Sequence, residues 1–466
     1  MRTIASITLF SLYSILYAQT NVSGGIFQNT TWTLAGSPYI VTGSIVVFPD
    51  KTLTIEPGVE VLVAPDYSFN TGNFRYIEVR GTLVALGTDQ APITFKSAAN
   101  DTVGLYTWLG INIKGSQGGS VQMDRFKLFD SFYGLYNDVS QVGVTYSFTN
   151  CHFKNNNYGV QINADMNYAN CIFESNGVGQ AAQIVYGTLT ANNCQFLSNF
   201  CSFTWSNNIA VSNSLFQGNV NNIIGSPGVI TDCQFISNEF ALTDSYFNTI
   251  ENCVFSSNNI AINNAGGSTI TNCTFENNNL AVKISDNSTL INCSIINNQV
   301  GVAVNGENPS TITIVDNIIC TNTIYNVENQ TDKNFQVNDN CFCSQDSTVI
   351  ESFIFDGYDD ITRGLINYAI YDDSCETVLS FVVKVQLEVS GLVELQSSSN
   401  FQIIAQDGLF FTILAEKGIT VALVNLSGQI LQIIELKQGT QVVNLPVQQG
   451  LYLITDFEGN SIKVVN

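Results

Sequence analysis

One pattern of polar and apolar positions returns about every 20 residues through the middle of the chain. Its core phrase is Asn-Cys-x-Phe-x-x-Asn, and it runs from Asn150 to Asn298 with few departures. The cysteine slot holds Cys151, Cys171, Cys194, Ser214, Cys233, Cys253, Cys273 and Cys293. The asparagine that follows this slot by five residues is Asn156, Asn176, Asn199, Asn219, Asn238, Asn258, Asn278 and Asn298. Similarity at a fixed period indicates a stack of repeated structural units.

Each repeat has the pattern of several short β-strands. Cys151 and Phe153 stand two residues apart, so both side chains are predicted to lie on one face of a strand. The surrounding residues are β-branched, aromatic or small and polar, with few of the runs that favour helices. The alternation breaks between Ile270 and Cys273, which predicts a corner at Thr271-Asn272. Short strands joined by corners predict one turn of a parallel β-solenoid, which buries its apolar side only when turns are stacked.

The two recurring polar side chains are predicted to have structural roles. Asparagine tolerates the left-handed backbone of a tight corner, and stacked amides can bond along a solenoid as a ladder. The seven cysteines of the column face the interior beside the phenylalanines, which favours packing as small apolar groups. Disulfides between neighbouring rungs and a thiolate metal site are the alternatives.

The Asn-Cys-x-Phe-x-x-Asn phrase resembles the repeats of right-handed parallel β-helix proteins that bacteria secrete. The resemblance is tight over residues 150–322 and loose over residues 32–345. It implies an all-β fold with first rungs and a cap in 19–120, repeats in 121–345 and a closing segment in 346–395. Many activities use this scaffold, so the resemblance implies a fold and does not identify a reaction.

The first 18 residues have the pattern of a secretory signal peptide. Arg2 gives a positive start, an apolar run extends from Ile4 to Tyr17, and Ala18 is a small residue at a plausible cleavage point. The run is short for a membrane span, and no later segment is apolar enough, so no transmembrane segment is expected in the mature chain. We therefore expect a protein that is secreted or attached to the outer cell surface.

The last segment, 396–466, begins with a predicted linker at Gln396–Asn400 and contains alternating strands separated by glycine turns. It resembles the C-terminal sorting domain of type IX secretion in Bacteroidetes, a small β-sandwich. The matching positions are Asn425, Gly428, Gln429, Gly450, Tyr452 and Lys463. The resemblance implies that the type IX secretion machinery is a partner, and a generic β-sandwich module is the alternative.

The charge of the chain restricts its partners. A formal net charge of −22, with 16 lysines and arginines, argues against nucleic acid and anionic membranes. Such acidity is compatible with calcium, with cationic polymers or simply with solubility. The segment Asp356-Gly-Tyr-Asp359-Asp360 offers close oxygen ligands but lacks the spacing of a calcium loop, which favours a turn. No cofactor is expected.

Residues suited to acid–base chemistry are scattered along the sequence. His152 is the single histidine and is predicted to point outward, and no nucleophile motif accompanies it. A polysaccharide lyase needs a base, yet no arginine lies between Arg125 and Arg363. The lysines in that interval are Lys127, Lys154, Lys283 and Lys333. A glycosidase needs two converging carboxylates, and no pair is evident among Asp165, Glu174, Asp232, Glu239, Asp244, Glu251, Glu276, Asp286 and Asp316.

Two further residue types have candidate roles. Trp108 and Trp205 could contact sugar rings, although burial is the commoner fate of tryptophan in a strand. The cysteines outside the column are disulfide candidates in an oxidising compartment, with the pairing open: Cys320, Cys341, Cys343 and Cys375.

The strongest signals in the sequence are therefore structural. They favour a non-catalytic adhesin or carbohydrate-contacting scaffold, with polysaccharides or cell-surface glycans as ligands. A polysaccharide lyase or glycoside hydrolase on the same fold is the alternative.

Overall fold

The computed structural model describes most of the chain from residue 19 to residue 368, and strands between residues 401 and 465. The described ranges are 19–65, 74–99, 107–141, 143–177, 180–183, 187–204, 206–368, 401–407, 410–415, 419–425, 430–437, 439–444, 451–456 and 461–465. The predicted signal peptide 1–18 lies outside them, as do Trp205, Cys375, Gly428, Gln429 and Gly450. The described strands form two compact units, one up to Ile366–Asn367 and one from Phe401–Asp407 onward.

The first unit is a parallel β-solenoid, which confirms the predicted fold class. Each rung has three strands, and we number the faces of the solenoid in the order in which a rung visits them. Face 1 is a 13-stranded parallel sheet. Its strands are Thr30–Trp32, Thr52–Ile55, Thr82–Leu86, Ser120–Asp124, Thr145–Thr149, Asp165–Ala169, Thr188–Asn192, Asn208–Ser212, Gly228–Thr231, Asn248–Glu251, Thr269–Thr271, Thr289–Ile291 and Thr313–Val315.

Faces 2 and 3 together form a 27-stranded sheet. Face 2, which includes the strands of the Cys-x-Phe repeats, consists of Glu60–Val63, Ile93–Ser97, Phe126–Phe129, His152–Lys154, Ile172–Glu174, Gln195–Leu197, Leu215–Gln217, Gln234–Ile236, Val254–Ser256, Thr274–Glu276, Ser294–Ile296 and Ile318–Cys320. Face 3 contains Tyr76–Val79, Trp108–Ile113, Ser131–Asn137, Tyr158–Gln161, Gln180–Gln183, Cys201–Thr204, Asn221–Ile224, Phe240–Thr243, Ile260–Asn263, Leu280–Ile284, Val300–Val304, Tyr325–Asn329 and Ile354–Phe355. Thr20–Ile26 and Tyr39–Val47 are long strands that run through both faces.

The corners between strands contain residues in the left-handed region, where asparagine is tolerated and glycine is free. Asn272 has φ 55° at the corner between faces 1 and 2, where the parity break predicted it. At the corner between faces 2 and 3 the left-handed residue precedes the ladder asparagine, as at Ser257 (φ 59°) before Asn258. Left-handed backbone therefore occurs at the asparagine before the cysteine slot and at the residue before the ladder asparagine, and not at the ladder asparagines themselves. Their amides are needed inside the corner, and a neighbouring residue turns the chain.

The core is one continuous column of buried side chains. Phenylalanine rings of face 2 stack on successive rungs, and between Phe196 and Phe275 the ring centroids are 4.6–4.8 Å apart. This spacing is that of neighbouring strands in a sheet, so every ring contacts the ring above and the ring below. The repeat thus buries apolar area only through its neighbours.

The last rungs depart from the period. Phe335–Gln336 pairs in parallel with Ile366–Asn367, and the α-helix Ser347–Glu351 lies between them in sequence. A disulfide joins Cys320 to Cys343, with Cα atoms 5.8 Å apart, and Cys341 lies two residues before Cys343. Short 3-10 turns occur at Leu34–Gly36, Gly115–Gln117 and Pro309–Thr311.

The second unit contains two antiparallel sheets. One consists of Phe401–Asp407, Phe410–Ala415 and Gly439–Asn444, and the other of Ile419–Asn425, Ile430–Leu436, Leu451–Asp456 and Ser461–Val465. Of the sorting-domain positions, Asn425 pairs with Tyr452, and Lys463 pairs with Leu453. The β-sandwich and its role in sorting remain predictions. Within the described residues, no helix has both the length and the apolar character needed to cross a membrane.

Candidate functional site

The predicted ladder residues line the interior of the corner between faces 2 and 3. The Nδ2 of Asn258 donates to Oδ1 of Asn278 at 3.0 Å, and the backbone N of Asn258 donates to the same oxygen at 2.9 Å. The Nδ2 of Asn258 also donates to the carbonyl of Phe235, one rung back, at 2.9 Å. The same pattern links Asn156, Asn176, Asn199, Asn219, Asn238, Asn258, Asn278 and Asn298. With their amides in use and their side chains buried, these asparagines offer no ligand contact.

The seven cysteines of the column are buried, and their thiols donate weak hydrogen bonds as well as filling space. The Sγ of Cys233 donates to the carbonyl of Thr231 at 3.1 Å, and the corresponding distance from Cys273 to Thr271 is 3.2 Å. The same bond is made by Cys151, Cys171, Cys194, Cys253 and Cys293. Burial raises the pKa of the Cys171, Cys233, Cys253 and Cys273 thiols well above the usual value. Protonated thiols do not bind metal at neutral pH, since the thiolate is the ligand.

A group of tyrosines lies on the outward side of face 3 in the early rungs; we call it the tyrosine patch. The strand register aligns Tyr76, Gly110, Tyr133 and Tyr158 on four successive rungs. The rings of Tyr133 and Tyr158 stack at 5.2 Å, and Phe132 meets Tyr158 at 6.0 Å. Gly110 has φ 118°, and a Cβ there would lie 2.1 Å from the carbonyl oxygen of Tyr133. The rung of Gly110 therefore places no side chain against Tyr133.

A second row of the tyrosine patch carries its hydrogen-bonding groups. This row lies beside the first and consists of Glu78, Asn112, Tyr136 and Gln161. Glu78 and Asn112 follow their first-row residues by two positions along the strand. Past the bulge at Gly134, Tyr136 and Gln161 follow theirs by three positions. Glu78 is 7% exposed and Asn112 is 8% exposed. Glu78 pairs with Arg80 at 2.5 Å, and Lys114 lies 4.0 Å away. The Oδ1 of Asn112 is buried and has no hydrogen-bond partner among the described residues.

The tyrosine patch combines the properties of a carbohydrate contact. Burial, and then the charge of Glu78, raises the pKa of Tyr136, so its hydroxyl stays protonated and can donate. Half-exposed aromatic rings present apolar edges and faces, while the carboxylate and amide present acceptors. A buried polar atom without a partner carries a cost that a bound hydroxyl group would remove. At about 4.8 Å per rung, the four rungs extend for about 14 Å.

Side chains scattered in the sequence meet on the outward side of face 2. His152 Nε2 lies 3.0 Å from Glu174 Oε2, and Lys154 Nζ lies 2.7 Å from Glu174 Oε1. Lys127, which lies on the preceding rung, is aligned with His152 in the sheet register. The hydrogen bond from His152, followed by that from Lys154, lowers the pKa of Glu174 to about 2. The sequence did not indicate this contact between residues of adjacent rungs, and it joins a carboxylate to two bases, not the two carboxylates that a glycosidase needs.

Other predicted candidates serve the fold. Trp108 is fully buried, and its Nε1 donates to the carbonyl of Phe129 at 3.1 Å. The carboxylate of Asp356 accepts from the backbone N of Tyr358 at 2.8 Å and of Ile366 at 2.7 Å, as a turn requires. Among the described residues no three metal-ligating side chains converge.

The carboxylates at repeat positions lie at corners and on face 1. Asp232 and Asp316 occupy corners, with φ 54° and 56°. The Oδ1 of Asp232 accepts from Asn252 at 3.3 Å. Glu251 lies on face 1 between Thr231 and Thr271, without a carboxylate on either neighbouring rung at that position.

The tyrosine patch was missed by sequence reasoning for a definable reason. Its residues lie in the early rungs, where rung length varies and a bulge between Tyr133 and Leu135 shifts the register. The one available signal was the density of tyrosine and phenylalanine in the segment Phe132 to Tyr136.

The chain resembles known proteins only distantly. No family model matches it. The Drosophila melanogaster "Protein bark beetle" is 38% identical over 84 residues, which are 18% of this chain and 2% of that protein, so the chain spans about 2% of the length of the curated relative it matches. A mannuronic acid specific polysaccharide family 6 lyase from human gut microbiota has 10% identity and a TM-score of 0.31 over 66% of this chain and 79% of its own.

Two further solved structures have similarly low sequence identities and TM-scores. The periplasmic alginate epimerase has 10% identity and a TM-score of 0.25, over 75% of this chain and 76% of its own. A tailspike protein of an Acinetobacter baumannii bacteriophage, a capsular polysaccharide depolymerase, has 9% identity and a TM-score of 0.23, over 95% of this chain and 76% of its own. Values this low transfer neither a substrate nor an active site to this chain.

Proposed function

We propose that the chain is an exported, non-catalytic carbohydrate-binding protein that contacts glycans through the tyrosine patch. The observation that carries the proposal is the buried, unpartnered Oδ1 of Asn112 in a row with Glu78 and Tyr136, beside the rings of Tyr133 and Tyr158. Aromatic rings supply area, and the polar row supplies directional bonds. The pattern of residues 1–18 and the sorting-domain resemblance of 396–466 support export.

The test is calorimetric titration of the purified mature chain with a panel of oligosaccharides. We expect Tyr133→Ala and Asn112→Ala each to weaken binding at least tenfold. Tyr325→Ala is the matched control, because Tyr325 also lies half-buried on face 3 and contacts an aromatic ring, Phe355, at 4.9 Å. Equal affinity of the Tyr133→Ala variant and the wild type for every bound sugar would overturn the proposal.

A polysaccharide-cleaving enzyme is the second candidate, and the cluster of Lys127, His152, Lys154 and Glu174 is the observation that favours it. A histidine base beside cations could remove a proton next to a uronate carboxylate. New chain ends that appear with the wild type and disappear with His152→Ala would establish the enzyme. The geometry favours a binding protein over an enzyme, because His152, the base that the enzyme would use, already pairs with Glu174, as does Lys154.

A further inference from the structure

A second surface suited to sugars lies at the corner between faces 3 and 1, later in the solenoid. Tyr246 is 43% exposed and Phe247 is 75% exposed. Phe247 also has φ 58°, a left-handed conformation that bulky residues rarely adopt. An exposed ring and a strained backbone both oppose stability, so the fold alone gives no reason for phenylalanine at this position.

The following rung supports both rings. A Cβ on Gly266 would lie 2.9 Å from Cδ1 of Tyr246, and a Cβ on Gly267 would lie 2.7 Å from the ring of Phe247. The backbone N of Phe247 donates to the carbonyl of Gly266 at 3.0 Å, which fixes the turn. The rings thus lie against a Gly-Gly backbone, and most of the Phe247 ring remains open to solvent.

Polar groups surround the open side of these rings. A cleft of about 360 Å³ extends from Phe247 over the corners of the next rungs and includes Asp286, Asn305 and Glu307. Asp286 is held in place, since its carboxylate accepts from the backbone N of Glu307 at 3.1 Å and of Asn308 at 3.0 Å. The Oδ1 of Asn305 is buried without a hydrogen-bond partner among the described residues.

The charge of the cleft selects among sugars. Its described lining contains two carboxylates, Asp286 and Glu307, and no lysine, arginine or histidine. The whole chain carries a formal charge of −22. A uronate would meet repulsion from both carboxylates with no cation to offset it, whereas a neutral or amine-bearing pyranose would not.

We infer that this cleft is a second carbohydrate subsite, which holds a pyranose without a carboxylate against Phe247. The inference rests on the proposed carbohydrate-binding function and adds the ligand class. Asn305 and Glu307 bond to the hydroxyl or amine groups of the ring, and Phe247 contacts its apolar face.

The experiment titrates the mature chain with a glucosamine hexamer, cellohexaose and a mannuronate hexamer of equal length. Phe247→Gly is the informative variant, because φ 58° suits glycine and the chain is expected to fold without the ring. Phe27→Ala is the matched control, since Phe27 is 69% exposed and lies near the start of the solenoid.

We expect Phe247→Gly to weaken the binding of the glucosamine hexamer or of cellohexaose at least tenfold. The Phe27→Ala variant is expected to bind both with the affinity of the wild type. The mannuronate hexamer is expected to bind at least tenfold more weakly than the other two. A Phe247→Gly variant that binds every oligomer like the wild type, while Tyr133→Ala binds weakly, would overturn this subsite and leave the tyrosine patch intact. Loss of binding in Phe247→Gly with Tyr133→Ala unaffected would support the subsite and overturn the tyrosine patch. Uronate binding that depends on Phe247, or no binding by the wild type, would also overturn the subsite.

Discussion

The side-chain oxygen of Asn278 accepts two hydrogen bonds from Asn258 on the preceding rung, one from its backbone N at 2.9 Å and one from its Nδ2 at 3.0 Å. Each asparagine side chain in the ladder therefore accepts hydrogen bonds from one neighbouring rung with its oxygen and donates hydrogen bonds with its Nδ2. No water is needed at these corners, because every donor in the link has a protein acceptor.

Removing one ladder amide should destabilise the solenoid strongly. Asn258→Ala leaves the amide of Asn238 and the carbonyl of Phe235 without their partner. We expect a loss of about 2–6 kcal/mol in the free energy of unfolding, at about 1–3 kcal/mol for each of the two unsatisfied groups. Denaturant unfolding followed by circular dichroism measures it. Asn259→Ala is the control, because Asn259 is half-buried and its side chain donates to Glu239 on the solvent side, and a change of comparable size there would contradict the explanation.

Serine should replace a column cysteine with little loss. Ser214 already occupies the slot and donates to the carbonyl of Ser212 at 2.7 Å, where the cysteines donate through Sγ. We expect Cys253→Ser to cost less than Cys253→Ala, with a difference of about 1 kcal/mol from the lost hydrogen bond. Parallel denaturant curves of the two variants test this, and equal midpoints would show that the slot requires volume alone.

The column thiols should resist modification in the folded chain. Burial raises the pKa of Cys233 and Cys253 well above the usual value, and the thiolate is the reactive form. A thiol-specific colorimetric reagent should label these cysteines only after denaturant is added. Peptide mapping after labelling identifies the modified sites, and rapid native labelling of Cys253 would contradict its burial.

Acid should weaken the pairing around Glu174. Its pKa falls from the ordinary 4.5 to about 2 in the folded chain, so the unfolded chain binds the proton more tightly. The stabilisation is fully present above pH 4.5 and is lost as pH falls toward 2. The stability difference between wild type and Glu174→Gln should shrink over that window. Glu276→Gln, at the same position of a later rung, is the control, and a difference independent of pH would contradict the assignment.

Glycine should suit position 247 better than alanine. Phe247→Ala keeps a Cβ at φ 58° and loses the ring, whereas Phe247→Gly removes the steric cost of the left-handed backbone. We expect the glycine variant to exceed the alanine variant by about 1 kcal/mol in the free energy of unfolding. Thermal unfolding of both variants provides the measurement, and greater stability of the alanine variant would mean that the turn relaxes.

The sequence predicts what repeats locally and fails where contacts depend on side chains of neighbouring rungs. The corner at Asn272 followed from the parity of Ile270 and Cys273, because strand alternation is local. The contact of His152 with Glu174 joins residues on adjacent rungs, and nothing in the repeat marks which outward residues carry charge. The tyrosine patch was not predicted for a related reason. The rungs around Gly110 differ in length, so the sequence alone does not show which of their residues are aligned.

The asparagine ladder has a direction, and its two ends differ. Ser131 opens it by donating its N and Oγ to Asn156. At the other end Asn298 donates to Asn322, which closes the ladder by donating to Asn326 within its own rung. Every internal link is the same, so a duplicated repeat inserted between two rungs would form both of its new links at once. A single genetic duplication would therefore lengthen this protein in the middle with the ladder complete, whereas the contacts at its two ends have no counterpart within the stack.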